Sequence, residues 1–234
     1  MSCAGTIAGL VAGLVLANAE PVVIGTEAPF PAYTYLAEDG TITGHDRDLM
    51  DDICARMLWR CEWQNAHFDE LIPGVMSGRF DIIIGGIAVT PERRDLVDFT
   101  QAFDSSDPEE WYLGFPGAPE PEQALIGVQS GTVHEAHLRR LGLSFQSYVT
   151  EPQVLDALVQ GATDLALGPF SMRADLETFI QGHGLEFLYS DTIPDEGIAM
   201  AVCKGNAQLL DSLNAALDAM RGDGTLEEIE SRWF

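Results

Sequence analysis

Arg93 is the residue whose position speaks first of chemistry. It falls just after Thr90-Pro91-Glu92, where a capping hydroxyl, a proline at the first helical position and an acid mark a helix start. Ahead of it runs the strand end Gly85-Gly86-Ile87-Ala88-Val89, whose glycines let backbone groups approach a ligand. A positive charge in a first helical turn is mildly opposed by the helix dipole, so a guanidinium there reads as a fork of donors for a carboxylate. The same residues would also serve a surface arginine paired with Glu92 or Asp95. Gln129-Ser130-Gly131-Thr132 repeats the theme of strand end, glycine and helix start, offering N–H groups to an anion or simply capping a helix. Phe30, Tyr33, Tyr35 and Phe68 stand in or beside loops after strands, where aromatics sandwich organic ligands but also serve as core. His45 and His67 are the acid–base candidates, and both read as surface or loop residues. No Cys/His cluster has metal-ligand spacing, so neither a metal nor another cofactor is expected.

The elements that must position these groups alternate. Val22 to Gly25 is a short apolar strand; Leu49, Ile53 and Met57 recur at helical spacing. Leu71 to Met76 marks a second helix and Asp81 to Ile87 a buried strand. Trp111 to Phe115 reads as a strand before the break at Pro116 to Pro119. Strand Leu125 to Val128, a helix from Thr132, strand Phe145 to Val149, helix Gln153 to Gln160 and strand Asp164 to Leu167 follow. Helices over Ala207 to Met220 and Leu226 to Trp233 close the chain. Such alternation predicts an α/β protein with largely parallel sheets.

An internal echo decides the architecture. Leu71-Ile72-x-x-Val75-Met76-x-Gly78-x-x-Asp81-Ile82-Ile83-Ile84-Gly85 recurs as Val154-Leu155-x-x-Leu158-Val159-x-Gly161-x-x-Asp164-Leu165-Ala166-Leu167-Gly168. The offset is a constant 83 residues. Each copy ends a helix at a glycine, opens a buried strand with an aspartate and ends it at a glycine. Two similar α/β lobes, each with its own sheet, account for this, and ligands of such sheets sit at the carboxyl ends of the strands.

Composition sets the surroundings. The chain has 234 residues and a net charge of −25, which repels nucleic acid and anionic lipid. No charge precedes Glu20, and the apolar run Ile7 to Leu16 ends in Ala17-Asn18-Ala19, which reads as a signal peptide over 1–19. Cys54 and Cys61 are seven apart, across a helix end and a strand start, and form a plausible disulfide in an oxidising compartment. Cys203, in the apolar run Gly197 to Cys203, reads as an inert buried thiol.

These pieces together resemble the periplasmic solute-binding proteins of the polar amino-acid uptake family (family 3), with the type II periplasmic-binding-protein fold. The likeness runs from Val22 to Phe234. It rests on Ile24-Gly25-Thr26-Glu27, Gly44 followed by Asp46-x-Asp48-Leu49, Leu71-Ile72-Pro73, and Thr90-Pro91-Glu92-Arg93 with Asp98-Phe99-Thr100. Gln129-Ser130-Gly131-Thr132, Gly197-Ile198-Ala199, Asp223-Gly224-Thr225 and Arg232-Trp233-Phe234 complete it. The resemblance implies two Rossmann-like lobes joined by two hinge crossings, 20–110 plus 195–234 and 111–194, with a ligand held in the cleft between them. It implies a monomeric, periplasmic binding protein, not an enzyme, that hands a small carboxylate-bearing, amino-acid-like ligand to an ABC-transporter permease without entering the membrane. Arg93 would grip the carboxylate with help from the turn of Gly131, Thr132 and Val133; Gly86 would offer a carbonyl to an ammonium; Phe30 and Phe68 would stack on the side chain. Gln129 is common among relatives. Two positions depart from the pattern: Ala88 stands where Ser or Thr is usual, and Pro169 where an aspartate holds the α-ammonium. Either Glu27 or another acid replaces that aspartate, or the ligand has no α-ammonium. The Cys54/Cys61 pair sits where several members carry a disulfide. Other readings on this scaffold are a cyclohexadienyl-dehydratase-like enzyme and a ligand sensor.

Overall fold

The two copies of the helix–Gly–Asp–strand pattern each build a sheet. The computed structural model describes residues 20–105 and 108–234, so the expected signal segment lies outside the described residues. The chain forms two units: one runs up to Ala66 and continues through Glu70–Ser105 and Glu196–Phe234, the other comprises His67–Asp69 and Ser106–Asp195. The first unit opens with β1 (Val22–Thr26), a hairpin of β2 (Tyr35–Leu36) and β3 (Ile42–Thr43), α1 (His45–Met57) and β4 (Cys61–Asn65). Then come α2 (Phe68–Ser77), β5 (Ile82–Ile83), α3 (Pro91–Arg94) and β6 (Val97–Phe99). The second unit holds β7 (Glu109–Gly114), β8 (Ile126–Gln129), α4 (Val133–Leu141), β9 (Phe145–Tyr148), α5 (Glu151–Val159) and β10 (Leu165–Leu167). Two 3-10 turns, Phe170–Met172 and Ala174–Leu176, lead to α6 (Glu177–His183) and β11 (Glu186–Thr192). The chain returns to the first unit for β12 (Ala201–Cys203), α7 (Ala207–Asp223) and α8 (Thr225–Trp233).

The sheets repeat one another: β4-β1-β5-β12-β6 in the first unit, β9-β8-β10-β7-β11 in the second. In each, the first three strands are parallel and the fourth runs antiparallel to both its neighbours. Sequence led to largely parallel sheets. The fourth strand departs because β12 and β7 each arrive from the other unit, not through a helical crossover, and only a crossover enforces parallel pairing.

The echoed residues carry the repeat. Gly78 and Gly161 end their helices at φ 78° and 70°, the left-handed region that glycine enters without steric cost. Asp81 bonds twice to Val23: its N–H donates to the Val23 carbonyl at 2.9 Å, and its carboxylate accepts from Val23 N–H at 2.8 Å. Asp164 does the same to Leu125, at 2.8 Å in both directions. Each aspartate thus ties the strand it opens to the neighbouring parallel strand. The strand expected over Asp81 to Ile87 stops at Ile83, because Gly85 and Gly86 take φ 139° and 61°.

Both faces of the second sheet are covered. Tyr112, Ile126, Val128, Leu165 and Leu167 pack with Leu138 of α4, whereas Leu113 and Ala166 pack with Val154, Leu155 and Leu158 of α5. In the first unit the ring of Phe80, 1% exposed, fills a notch at Gly25 and Gly74. A Cβ would come within 2.6 Å of that ring at Gly25 and 2.3 Å at Gly74, closer than any side chain tolerates.

Cys54 of α1 and Cys61 of β4 are disulfide-bonded, across a turn in which Leu58 caps the helix in the left-handed conformation. Replacing both by serine should destabilise the chain by about 2–3 kcal/mol, the chain-entropy value for so short a loop. Urea unfolding of the two proteins checks it; an unchanged midpoint would count against a stabilising bridge. Cys203 is buried at the end of β12, as its apolar run predicts.

Candidate ligand-binding site

In the first unit the carboxyl end of β5 runs through Gly85 and Gly86 into a segment pinned by its neighbours. Ala199 N–H donates to the Ile87 carbonyl, Val89 N–H to the Gly197 carbonyl and Glu196 N–H to the Val89 carbonyl, while Ala88 bridges to Ile198. Thr90 then caps α3, its hydroxyl accepting from Arg93 N–H at 3.3 Å. Arg93 is 8% exposed, so it is no surface arginine, and its guanidinium donates to the Ala88 carbonyl at 2.7 Å. Holding a fixed charge this deeply has a cost that is recovered only through several hydrogen bonds or a counter-ion, since a guanidinium carries five donors.

Aromatic surface lies against the glycines that precede Arg93. Phe30 stacks on Tyr33 at 5.5 Å with an interplanar angle of 4°. It also lies against Gly86, where a Cβ would come within 2.8 Å of the Phe30 ring. Glu27 is half-buried, with its carbonyl accepting from the Thr34 hydroxyl at 2.7 Å and its amide near Gly85. Glu27, Phe30 and Gly86 therefore meet past the carboxyl ends of the neighbouring strands β1 and β5, and Ala88 and Arg93 follow Gly86 along the chain. Tyr33 is part of the core and donates its hydroxyl to Asp104 at 2.6 Å; Tyr35 packs its ring at a tilt against Trp233, 5.7 Å between centroids.

His45 overturns its expectation. It is fully buried at the start of α1, with Nδ1 2.9 Å from the Asp46 carboxylate, amid the rings of Tyr33, Phe103 and Phe234. Burial pushes the Asp46 carboxyl up, with the His45 contact opposing it. A histidine so enclosed is a poor acid–base for an outside substrate. His67 is exposed in a loop, as expected.

In the second unit Gln129 ends β8 and Thr132 caps α4, its hydroxyl donating to the Gln129 carbonyl at 2.8 Å and accepting from Glu135 N–H at 3.2 Å. Gly131 N–H is occupied, donating to Glu135 at 2.9 Å. Any anion here would therefore use the N–H groups of Thr132 and Val133, which have no acceptor inside the helix. Burial pushes the Glu135 carboxyl up, but bonds from Gly131 N–H and the Ser147 hydroxyl, together with Arg139, outweigh it and hold it below the ordinary range. Pro169 follows β10 after Gly168 and offers no side-chain acceptor. Phe68 begins α2 and is half-buried, grouped with this unit; its neighbour Asp69 accepts from the Ser130 hydroxyl at 2.7 Å.

Local sequence gave no sign of the buried ionic groups of this unit. Arg173 bonds Glu151 at 2.7 Å and clasps both oxygens of Asp175 at 2.7 Å. His137 Nε2 lies 2.9 Å from Asp191, which also accepts from Tyr112 at 2.6 Å, while Arg140 donates to His137 Nδ1 at 2.9 Å. Burial, then the Asp191 bond, pushes the Tyr112 hydroxyl far up.

The chain is 28% identical over 230 residues to an L-arginine-binding protein of Pseudomonas aeruginosa, covering 92% of this chain and 88% of that one. It is 27% identical over 232 residues to the lysine/arginine/ornithine-binding periplasmic protein of Escherichia coli, covering 92% and 88%. An ancestral arginine-binding protein bound to arginine superposes with a TM-score of 0.80 at 26% identity, over 92% of this chain and 98% of that one. The profile of the bacterial extracellular solute-binding proteins, family 3, matches residues 22–234. With the repeated sheets and a match from the first strand to the last residue, the chain belongs to the bacterial extracellular solute-binding proteins, family 3.

Proposed function

We propose that this protein works outside the cytoplasm, binding a small α-amino acid by its carboxylate and delivering it to the permease of an ABC importer. The observation that carries the reading is Arg93. It is buried in the segment after β5, oriented by the Thr90 cap and the Ala88 carbonyl, and the same segment begins at Gly86, on which the Phe30 ring lies. A buried guanidinium is suited to a carboxylate, which it meets through two parallel hydrogen bonds. The arginine and lysine named for the relatives favour a basic amino acid as the ligand. The role is binding and release, with no chemical step. Among the described residues no helix is long and apolar enough to cross a membrane, which suits a protein that meets its permease from outside.

Titration calorimetry with an amino-acid panel, run beside a turnover assay on cyclic carboxylates, tests the reading. Stoichiometric binding of a basic amino acid without product formation is the expected result. Product release from a cyclic carboxylate would replace this reading with the dehydratase one.

A further inference from the structure

The second unit encloses polar atoms whose hydrogen-bonding capacity is not used. His134 is 5% exposed, and neither ring nitrogen makes a hydrogen bond. Its Nε2 is 3.3 Å from Glu110 Oε1, inside ion-pair distance but off hydrogen-bond geometry; the Glu110 side chain is 13% exposed. Glu151 is near enough for the His134 charge to act on it, and its Oε2 is likewise buried without a hydrogen-bond partner.

The sheet places this group. Leu167 of β10 pairs with Tyr112 of β7 in antiparallel register. Glu110 lies two residues before Tyr112 on the antiparallel β7, which carries it past the carboxyl end of β10, where ligands of α/β sheets bind. His134 stands two residues beyond the Thr132 cap, past the carboxyl end of β8. The other well-placed carboxylates are already engaged. Glu135 accepts from Gly131, Ser147 and Arg139; Asp191 accepts from Tyr112 and faces His137; Glu151 and Asp175 hold Arg173. Among the described residues Glu110 has the imidazole of His134 at ion-pair distance and no Lys or Arg. A partly buried carboxylate without a fixed protein cation is what a desolvated ligand cation requires, because a cation taken out of water needs a counter-charge.

We propose that Glu110, positioned by His134, receives the cationic group of the ligand, an ammonium or a guanidinium, in the second unit. This rests on the amino-acid reading above and adds the residue that selects for a cation, a task Pro169 cannot perform.

The test is calorimetry of wild type and Glu110→Gln with L-arginine, with arginine lacking its α-ammonium, and with citrulline, which lacks the side-chain charge. The substitution is expected to weaken arginine about ten- to hundredfold. It should leave unchanged the analogue that lacks the group Glu110 holds, and that analogue tells ammonium from guanidinium. His134→Gln, which keeps the carboxylate, should give a smaller loss with the same selectivity. Equal arginine affinity in wild type and Glu110→Gln overturns the assignment, and so does an equal loss for all three ligands. If neither variant folds, wild type decides: equal affinity for arginine and both analogues overturns it too. A wild type that binds no amino acid sinks the proposed function itself, and the assignment with it.

Discussion

Arg93→Ala should lower the affinity for L-arginine at least tenfold. The substitution removes a charge-assisted, two-pronged contact and leaves the ligand carboxylate desolvated with no counter-charge, a cost of about 2–5 kcal/mol. Arg93→Lys separates charge from geometry. It retains the positive charge but loses the planar fork, so it should fall between wild type and the alanine variant. Arg93 also donates to the Ala88 carbonyl, so thermal unfolding of each variant must accompany the calorimetry. A folded Arg93→Ala protein that binds arginine like wild type would falsify the site while leaving the family assignment untouched.

Arg173→Met should produce the largest loss of stability. The Arg173 side chain is 8% exposed and that of Glu151 12%, so removing the guanidinium strands a buried carboxylate. Breaking a buried ion pair from one side costs about 3–5 kcal/mol. Burial already pushes the Glu151 carboxyl up, with the Arg173 charge the largest opposing influence; without Arg173 it rises further. An acid whose folded pKa exceeds its unfolded one opposes folding at neutral pH, and the penalty fades as pH falls through the folded value. The stability gap between wild type and Arg173→Met should therefore narrow on moving from neutral to mildly acidic pH. Asp175, held below its ordinary range mainly by the Arg173 hydrogen bond, adds to the effect with the same sign. Adding Glu151→Leu should restore part of the loss at neutral pH, since an apolar side chain has no charge to strand. A gap that stays constant with pH would mean that lost packing, not the stranded charge, sets the cost.

What the sequence made legible was whatever depends on neighbours along the chain. Thr90 and Thr132 were readable as helix caps, Gly78 and Gly161 as helix ends, and the 83-residue echo as two equivalent sheets, because each is a local pattern or a comparison of local patterns. Arg93 was readable as an anion-binding candidate, yet its burial was not, because the segment that encloses it is pinned by Gly197 and Ala199 from a distant part of the chain. The ionic groups of the second unit escaped notice for the same reason. Glu110 meets His134, His137 meets Asp191, and Glu151 meets Arg173 only once strands and helices are packed. His45 was misread because a histidine after a glycine turn resembles a loop residue until three aromatic rings close around it.

The notch that receives Phe80 bears on how the chain finds its own partners. Two halves with matching strand order and matching helix–strand segments risk docking one half's segment on the other's first strand during folding, a common failure of repetitive chains. The positions equivalent to Gly74 and Phe80 in the second half are Ala157 and Thr163. Thr163 rests against Gly127, where a Cβ would lie 3.2 Å from its hydroxyl. A segment carrying Thr163 docked on β1 would leave the space of a phenyl ring empty, and a segment carrying Phe80 docked on β8 would bring a ring where a threonine fits. Either mismatch costs on the order of 1–5 kcal/mol, enough to make the wrong pairing a minor species. The size of one ring thus serves as an address label, telling two look-alike segments which sheet each belongs to.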